Sequence, residues 1–271
     1  PLSPAWHLTM TATSTGWLAG GFYMQAESAT QYVVFATGLD YLAAVVPPLT
    51  AGADGVGWVA PNFRNETTSY ELTSQALFGE IYYQFNEDLK LTLGLRYTED
   101  EKEVESRQLF LNTFEDGSRI FQALGADEPI PQPFDNFADK WEEFTGRAVL
   151  DWAFADDSMA YLSFSRGYKG GGFNPAFDPL DFPDQSTRFE PEYVNAFELG
   201  TKNIFLDGTL QANGSVSFYD YEDLQVGKIV NRTSFNENTN AEIFGVEAEF
   251  VWAPNENWLF NLNGSYLKTE I

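Results

Sequence analysis

Residues that could do chemistry in this sequence are few, and their spacing does not favour catalysis. His7 is the single histidine and cysteine is absent, so a thiolate or His-rich metal site and a His-dependent triad are unavailable within the chain. Gly170-Gly171-Gly172 invites comparison with phosphate-binding loops. The G-x-x-x-x-G-K-[ST] spacing is missing and no helical pattern follows, so the glycines read as the point where a strand turns into a loop. Acidic groups stand at Glu99-Asp100-Glu101 with Glu103, at Glu115-Asp116, and at Asp178, Asp181 and Asp184. They offer oxygen ligands for calcium but lack the EF-hand order, and a solvated loop is the simpler reading. Arg166 and Lys169 are the candidates for contact with an anionic ligand, pairing with surface carboxylates being the alternative. No nucleophile–base grouping can be assembled. The expectation is a protein that is not an enzyme and carries no cofactor.

The elements that hold these residues are strands. Four times the sequence shows a strand, a tight polar turn, a second strand and a much longer polar loop. The turns are Asn86-Glu87-Asp88, Ala155-Asp156-Asp157-Ser158, Asp207-Gly208 and Pro254-Asn255-Glu256-Asn257, each between alternating segments as in an antiparallel hairpin. Leu89, Leu91, Leu93, Leu95 and Tyr97 share one face, with Lys90, Thr92, Gly94, Arg96 and Thr98 on the other. The period of two makes this a ribbon with one dry side. Phe144, Ala148, Leu150, Trp152 and Phe154 likewise oppose Thr145, Arg147 and Asp151. Phe244, Val246, Ala248, Phe250 and Trp252 oppose Glu247 and Glu249. A hydrocarbon environment would penalise these glutamates heavily, so Arg96, Arg147, Glu247 and Glu249 are expected to face a lumen.

Three observations favour a transmembrane barrel. The alternating stretches run to about ten residues, near the length that crosses a bilayer at a tilt. Phe85, Trp152, Phe154, Phe205, Trp252 and Trp258 crowd the short turns, as one interfacial belt requires. Short turns alternate with long polar stretches at approximately 28–67, 106–139, 171–190 and 224–239, an asymmetry typical of outer-membrane barrels. A soluble β-sandwich also alternates and is the competing reading. Before the first clear hairpin, Leu8 to Thr13 and Gly16 to Glu27 pair around Ser14-Thr15-Gly16, giving about ten strands. Tyr32 to Leu49 reads as a short element in a loop or a further strand. The chain carries 40 Asp and Glu against 15 Lys and Arg, a net charge of -25. That balance argues against nucleic acid as a partner. With 44% hydrophobic and 16% aromatic residues it is far too apolar for a disordered acidic coil. Pro1-Leu2-Ser3-Pro4 lacks the basic and apolar regions of a signal peptide, and no run of apolar residues is long enough for a membrane helix.

Several stretches resemble barrel segments of TonB-dependent outer-membrane receptors. They are Tyr161-Leu162-Ser163-Phe164-Ser165-Arg166-Gly167-Tyr168-Lys169-Gly170-Gly171-Gly172-Phe173-Asn174, Pro191 to Lys202 (PEYVNAFELGTK), Leu93 to Thr98 (LGLRYT) and Phe218 to Val226 (FYDYEDLQV). The likeness is strong over roughly 70–271 and weak before it. It implies part of a 22-stranded, plugged barrel moving iron–siderophore complexes or other scarce nutrients, energised through TonB–ExbB–ExbD. The expectation is therefore all-β: a partial barrel or curved meander sheet filling 1–271, with 1–69 poorly patterned, 70–271 as four long hairpins, and the plug, TonB box and closing strand absent. The expected location is the bacterial outer membrane, with long loops extracellular and short turns periplasmic. Expected partners are lipid, lipopolysaccharide (with divalent ions bridging to acidic outer loops), the TonB machinery through a missing N-terminal part, and a ligand such as a ferric siderophore. A passive porin-like channel is the alternative within the membrane.

Overall fold

In the computed structural model, residues 6–11, 15–34, 63–110, 134–175, 183–230 and 233–271 are described. The strands are β1 (Trp6–Thr11), β2 (Thr15–Val34), β3 (Phe63–Gln84), β4 (Leu89–Phe110), β5 (Asp135–Ala155), β6 (Ser158–Lys169), β7 (Gly172–Phe173), β8 (Arg188–Phe189), β9 (Glu192–Phe205), β10 (Leu210–Val230), β11 (Thr233–Asn255) and β12 (Trp258–Glu270). Ten of them form one antiparallel meander in the order β1-β2-β3-β4-β5-β6-β9-β10-β11-β12, and β7 and β8 pair as a separate two-stranded ribbon. Every neighbour in the large sheet is also a neighbour in sequence once that ribbon is set aside. β1 and β12 are its two open edges.

All four short turns fall where the polar residues place them. Asn86 closes the first, its side-chain oxygen accepting from the backbone N–H groups of Asp88 and Leu89 at 2.9 and 2.8 Å, an Asx-type turn. The β9–β10 turn is tighter in conformation: Leu206, Asp207 and Gly208 all have positive φ, at 55°, 54° and 86°. Only glycine adopts that region without steric cost.

The long polar stretches are shorter than the sequence suggests, because the strands continue into them. β2 reaches Val34 and β3 begins at Phe63, β4 reaches Phe110 and β5 begins at Asp135. The stretch 224–239 is almost wholly a hairpin, its ladder running from Leu224–Thr239 to Val230–Thr233. These outer halves are mostly polar with isolated aromatics such as Phe137, Trp141 and Phe235, so no regular apolar alternation announces them, yet their backbone groups still demand partners. A bulge between Tyr221 and Leu224 marks where β10 leaves the apolar zone, with Asp223 at φ 54°. From Phe35 on, the element suspected between Tyr32 and Leu49 lies outside the described residues, as do Glu115, Asp116, Asp178 and Asp181.

Among the described residues no second sheet covers the apolar face. Buried hydrophobic residues are confined to Ala76, Trp141, Phe235 and Ala241, while Leu77, Ile81, Leu93, Leu95, Phe144, Leu162, Phe197, Leu199 and their row-mates are exposed. This overturns the β-sandwich alternative, which needs those side chains sealed between two layers.

Candidate functional site

The sheet presents two chemically distinct faces, and strand register fixes which residues share each. On the apolar face one register row joins Leu91, Leu150, Leu162, Leu199, Val216, Val246 and Tyr266 across seven consecutive strands. The next row outward joins Phe164, Phe197, Phe218 and Phe244. Phe164 and Phe197 contact each other at 4.9 Å between centroids, and Tyr97 meets Phe144 at 5.0 Å. Toward the short turns lie Trp152 with Phe154, Tyr83 with Phe85, and Trp252 and Trp258 with Phe260. The face is thus bounded by two aromatic belts. The belt at the short turns is readable in the sequence. The other is not, because its members come from strands whose relative register had to be known.

The distance between belts is constant. On β5 the band runs from Trp152 to Phe144, and on β11 from Trp252 to Phe244. In each case eight positions separate the aromatic ends, about 26 Å along a strand and about 19–22 Å in height at a barrel's usual tilt. Both belts also shift together. Register aligns Trp152 with Ala160, Thr201, Gly214 and Ala248, so Trp252 lies four residues nearer the short turns. Gly146 aligns with Glu242 through Arg166, Asn195 and Asp220, which sets Phe244 four residues lower than Phe144 as well. A slab of fixed thickness crossing tilted strands imposes this joint shift.

Beyond the outer belt the same face turns ionic within one step. Lys140 contacts Glu99 and Glu142 at 2.8 and 3.0 Å. Those bonds hold its ammonium above the ordinary lysine range and both carboxyls below theirs. Glu99, Glu101 and Glu103 alternate with Asp100 and Lys102 along β4, so adjacent members of the acidic run point to opposite faces. Among the described residues, no group of three or more His, Cys, Asp or Glu is arranged to hold a metal ion.

The opposite face is mainly polar. Arg96 donates to Thr98 Oγ1 at 2.8 Å and lies over the rings of Phe22 and Phe78. Arg147 pairs with Glu80, which also accepts from the Tyr82 hydroxyl. Glu247 and Glu249 line a shallow depression of about 450 Å³ with Tyr161, Lys202 and Asn213. Asn213 donates to Glu249 at 3.1 Å, and the Tyr161 hydroxyl to Glu198. Arg96, Arg147, Glu247 and Glu249 therefore all stand on the face away from the aromatic belts.

Arg166 and Lys169 occupy the outer end of β6. Arg166 is two residues past Phe164, donates to Asn195 at 2.9 Å, approaches Glu222 at 3.5 Å and lies over the Tyr193 ring. Lys169 reaches Glu192 at 3.6 Å. Both cations have carboxylate partners. Sequence reasoning missed Trp141, which is 5% exposed. Lys102 and Arg188 stand over its ring, each 5.5 Å from the centroid. Burial lowers the Lys102 ammonium below the ordinary range, with Asp100 opposing the shift.

An open meander with an uncovered apolar band between aromatic belts, and a polar reverse side, has the two-faced surface of a transmembrane β-barrel wall. Residues 3–270 match the model of the TonB dependent receptor-like β-barrel family, and the chain belongs to that family. It is a family of receptors rather than of enzymes. The chain is 29% identical over 132 residues to pesticin receptors of Yersinia enterocolitica and Yersinia pestis, covering 48% of this chain and 19% of each relative. Among solved structures it resembles the ferric yersiniabactin uptake receptor FyuA from Yersinia pestis, with a TM-score of 0.70 at 15% identity over 98% of this chain and 34% of that one. The copper transporter OprC gives a TM-score of 0.62 at 16% identity, over 98% and 37% of the two chains. The siderophore receptor PiuA from Acinetobacter baumannii gives 0.60 at 16% identity, with the same coverage. At these identities the structures speak for the fold alone. The chain spans about a fifth of the pesticin receptors and about a third of those structures.

Proposed function

We propose that residues 1–271 form one barrel-wall domain of an outer-membrane receptor that takes up a scarce, chelated nutrient such as a ferric siderophore, energised through TonB–ExbB–ExbD. The apolar band of constant height carries this reading, because only a hydrocarbon slab makes an uncovered Leu/Phe/Trp face stable. In this arrangement Arg96, Arg147, Glu247 and Glu249 face the lumen, and the plug that the family implies packs against their face. The short turns are periplasmic. The outer strand halves rise past the membrane and shape a vestibule where Arg166 and Lys169 stand near the rim. The names of the relatives support a metal-chelate cargo: one takes up ferric yersiniabactin, one is a siderophore receptor and one transports copper.

The test is uptake in a receptor-deficient, iron-starved host expressing the full-length gene, with and without an intact TonB system. Candidate ligands are radiolabelled ferric chelates, cobalamin and oligosaccharides. Uptake of one ligand that vanishes without TonB is the expected result. Accumulation that is equal in both hosts would instead make the protein a passive channel.

A further inference from the structure

The wall contains a notch among the described residues, and a specific piece of chain bridges the hairpins on either side of it. Register aligns Gly146 of β5, Arg166 of β6, Asn195 of β9 and Asp220 of β10. Outward from that row β5 continues to Asp135 and β10 to Val230, but β6 stops at Lys169 and β9 begins only at Glu192. Two strands are therefore missing between two long ones, and a gap in a sheet leaves backbone groups without partners.

We infer that residues 170–175 and 183–191 are a fixed cross-brace that lies on the polar face beside this notch and ties the β4–β5 hairpin to the β10–β11 hairpin. On the first side the attachment is ionic and aromatic. Lys102 donates to the Gly171 carbonyl, and Arg188 pairs with Asp139. Phe173 stacks on Phe137 at 5.5 Å and meets Trp141 at 6.2 Å. The approach at Gly171 is close enough that a Cβ there would lie 2.8 Å from the Trp141 ring.

On the second side two carboxamides make the attachment. Asn174, which is 2% exposed, donates to the Asn236 carbonyl at 3.0 Å and accepts from its N–H at 2.7 Å. Asn238 does the same for Glu190, accepting from its N–H at 2.8 Å and donating to its carbonyl at 3.0 Å. A primary amide presents the same donor–acceptor pair as a peptide unit, so each holds one peptide group of the opposite segment by two bonds. Gln225 adds bonds to the carbonyls of Gly170 and Glu190, both at 3.1 Å. Within the brace, the β7–β8 ribbon pairs Gly172 with Phe189 and Phe173 with Arg188.

The consequence is mechanical. The two long hairpins flanking the notch move as one body. Any closing motion on binding belongs to other parts of the rim.

The absence of native cysteine makes the test direct. Nitroxide labels at Ala138→Cys and Val226→Cys in the full-length receptor report the separation of the hairpins by pulsed electron–electron resonance. A single narrow distance is expected for the otherwise native protein. Loss of that narrow peak is expected in the N174A/N238A double variant and, to a smaller degree, in K102M alone. Heat-modifiable migration of the barrel serves as the check on assembly. A broad distribution in the native receptor, or a peak equally narrow in both variants, overturns the brace. Either result leaves the transport assignment standing, since uptake is measured separately.

Discussion

Leu93 is the position at which the membrane reading makes its sharpest quantitative claim. It lies midway between Leu89 and Tyr97, pairs with Ile81 on one side and Ala148 on the other, and is 46% exposed. Ala148 is itself midway between Phe144 and Trp152 on β5, so Leu93 stands at mid-height of the band. Leu93→Arg places a guanidinium there with no counter-charge on its face, since the nearest carboxylates in register, Glu80 and Asp151, belong to the polar side. A cationic side chain at the midplane of a barrel costs about 2–4 kcal/mol, falling to about 0–1 near the interfaces. Leu89→Arg, at the edge of the band, is the matched control. Glu247→Gln on the polar face is expected to change stability by less than about 0.5 kcal/mol, as surface changes usually do. The assay is urea titration of the full-length protein folding into phospholipid vesicles, read by heat-modifiable mobility and tryptophan fluorescence. If Leu93→Arg costs no more than Leu89→Arg, or no more than Glu247→Gln, the face assignment is wrong.

Leu93→Asp should impair assembly in the same assay, by less than the arginine. Arg147→Met should leave assembly intact and cost under about 1 kcal/mol, because the Arg147 side of the pair is half exposed and the Tyr82 hydroxyl still donates to Glu80; a collapse of folding yield would contradict this. Gly208→Ala forces a Cβ into a φ of 86° and should cost about 1 kcal/mol, visible as a lower urea midpoint. Lys102 has a depressed ammonium pKa in the folded protein, against 10.5 for the free group. Between those two values the unfolded chain binds more protons, so stability should rise with pH on approaching 10.5. That increment should be missing in Lys102→Met when urea midpoints at pH 8 and pH 10 are compared, and an identical slope in both proteins would refute it.

How much of this was legible before folding differs by region. Leu89 to Tyr97 announces its strand because one face is apolar and the other is not, and Asn86 announces its turn through a side chain that bonds to nearby backbone. Thr98 to Arg107 on β4 is equally regular strand, yet polar and charged residues occupy both of its faces and the pattern is mute. The same is true of Leu224 to Val230. Arg96, Arg147, Glu247 and Glu249 follow from parity alone, since a strand leaves each residue two choices of side. Arg166 and Lys169 illustrate the limit. Their charge and neighbourhood are plain in the sequence, but that Glu222 and Glu192 neutralise them depends on pairings between strands well apart in the chain. The brace was hidden for a related reason: Asn174 and Asn238 look like ordinary loop amides until the ends of β6 and β9 are known.

The joint slip of the two belts has a geometric corollary. Four residues over the four steps from β5 to β11 averages one residue per strand. With about 3.3 Å of rise against about 4.8 Å between strands, that slope inclines the chains by roughly 35° to the pore axis. Positions at one depth consequently trace a spiral across the backbone ladder rather than a ring along it. A substituent meant to sit at the level of Leu93 on a neighbouring staircase must be chosen by counting along that spiral, not by reading straight across the hydrogen bonds.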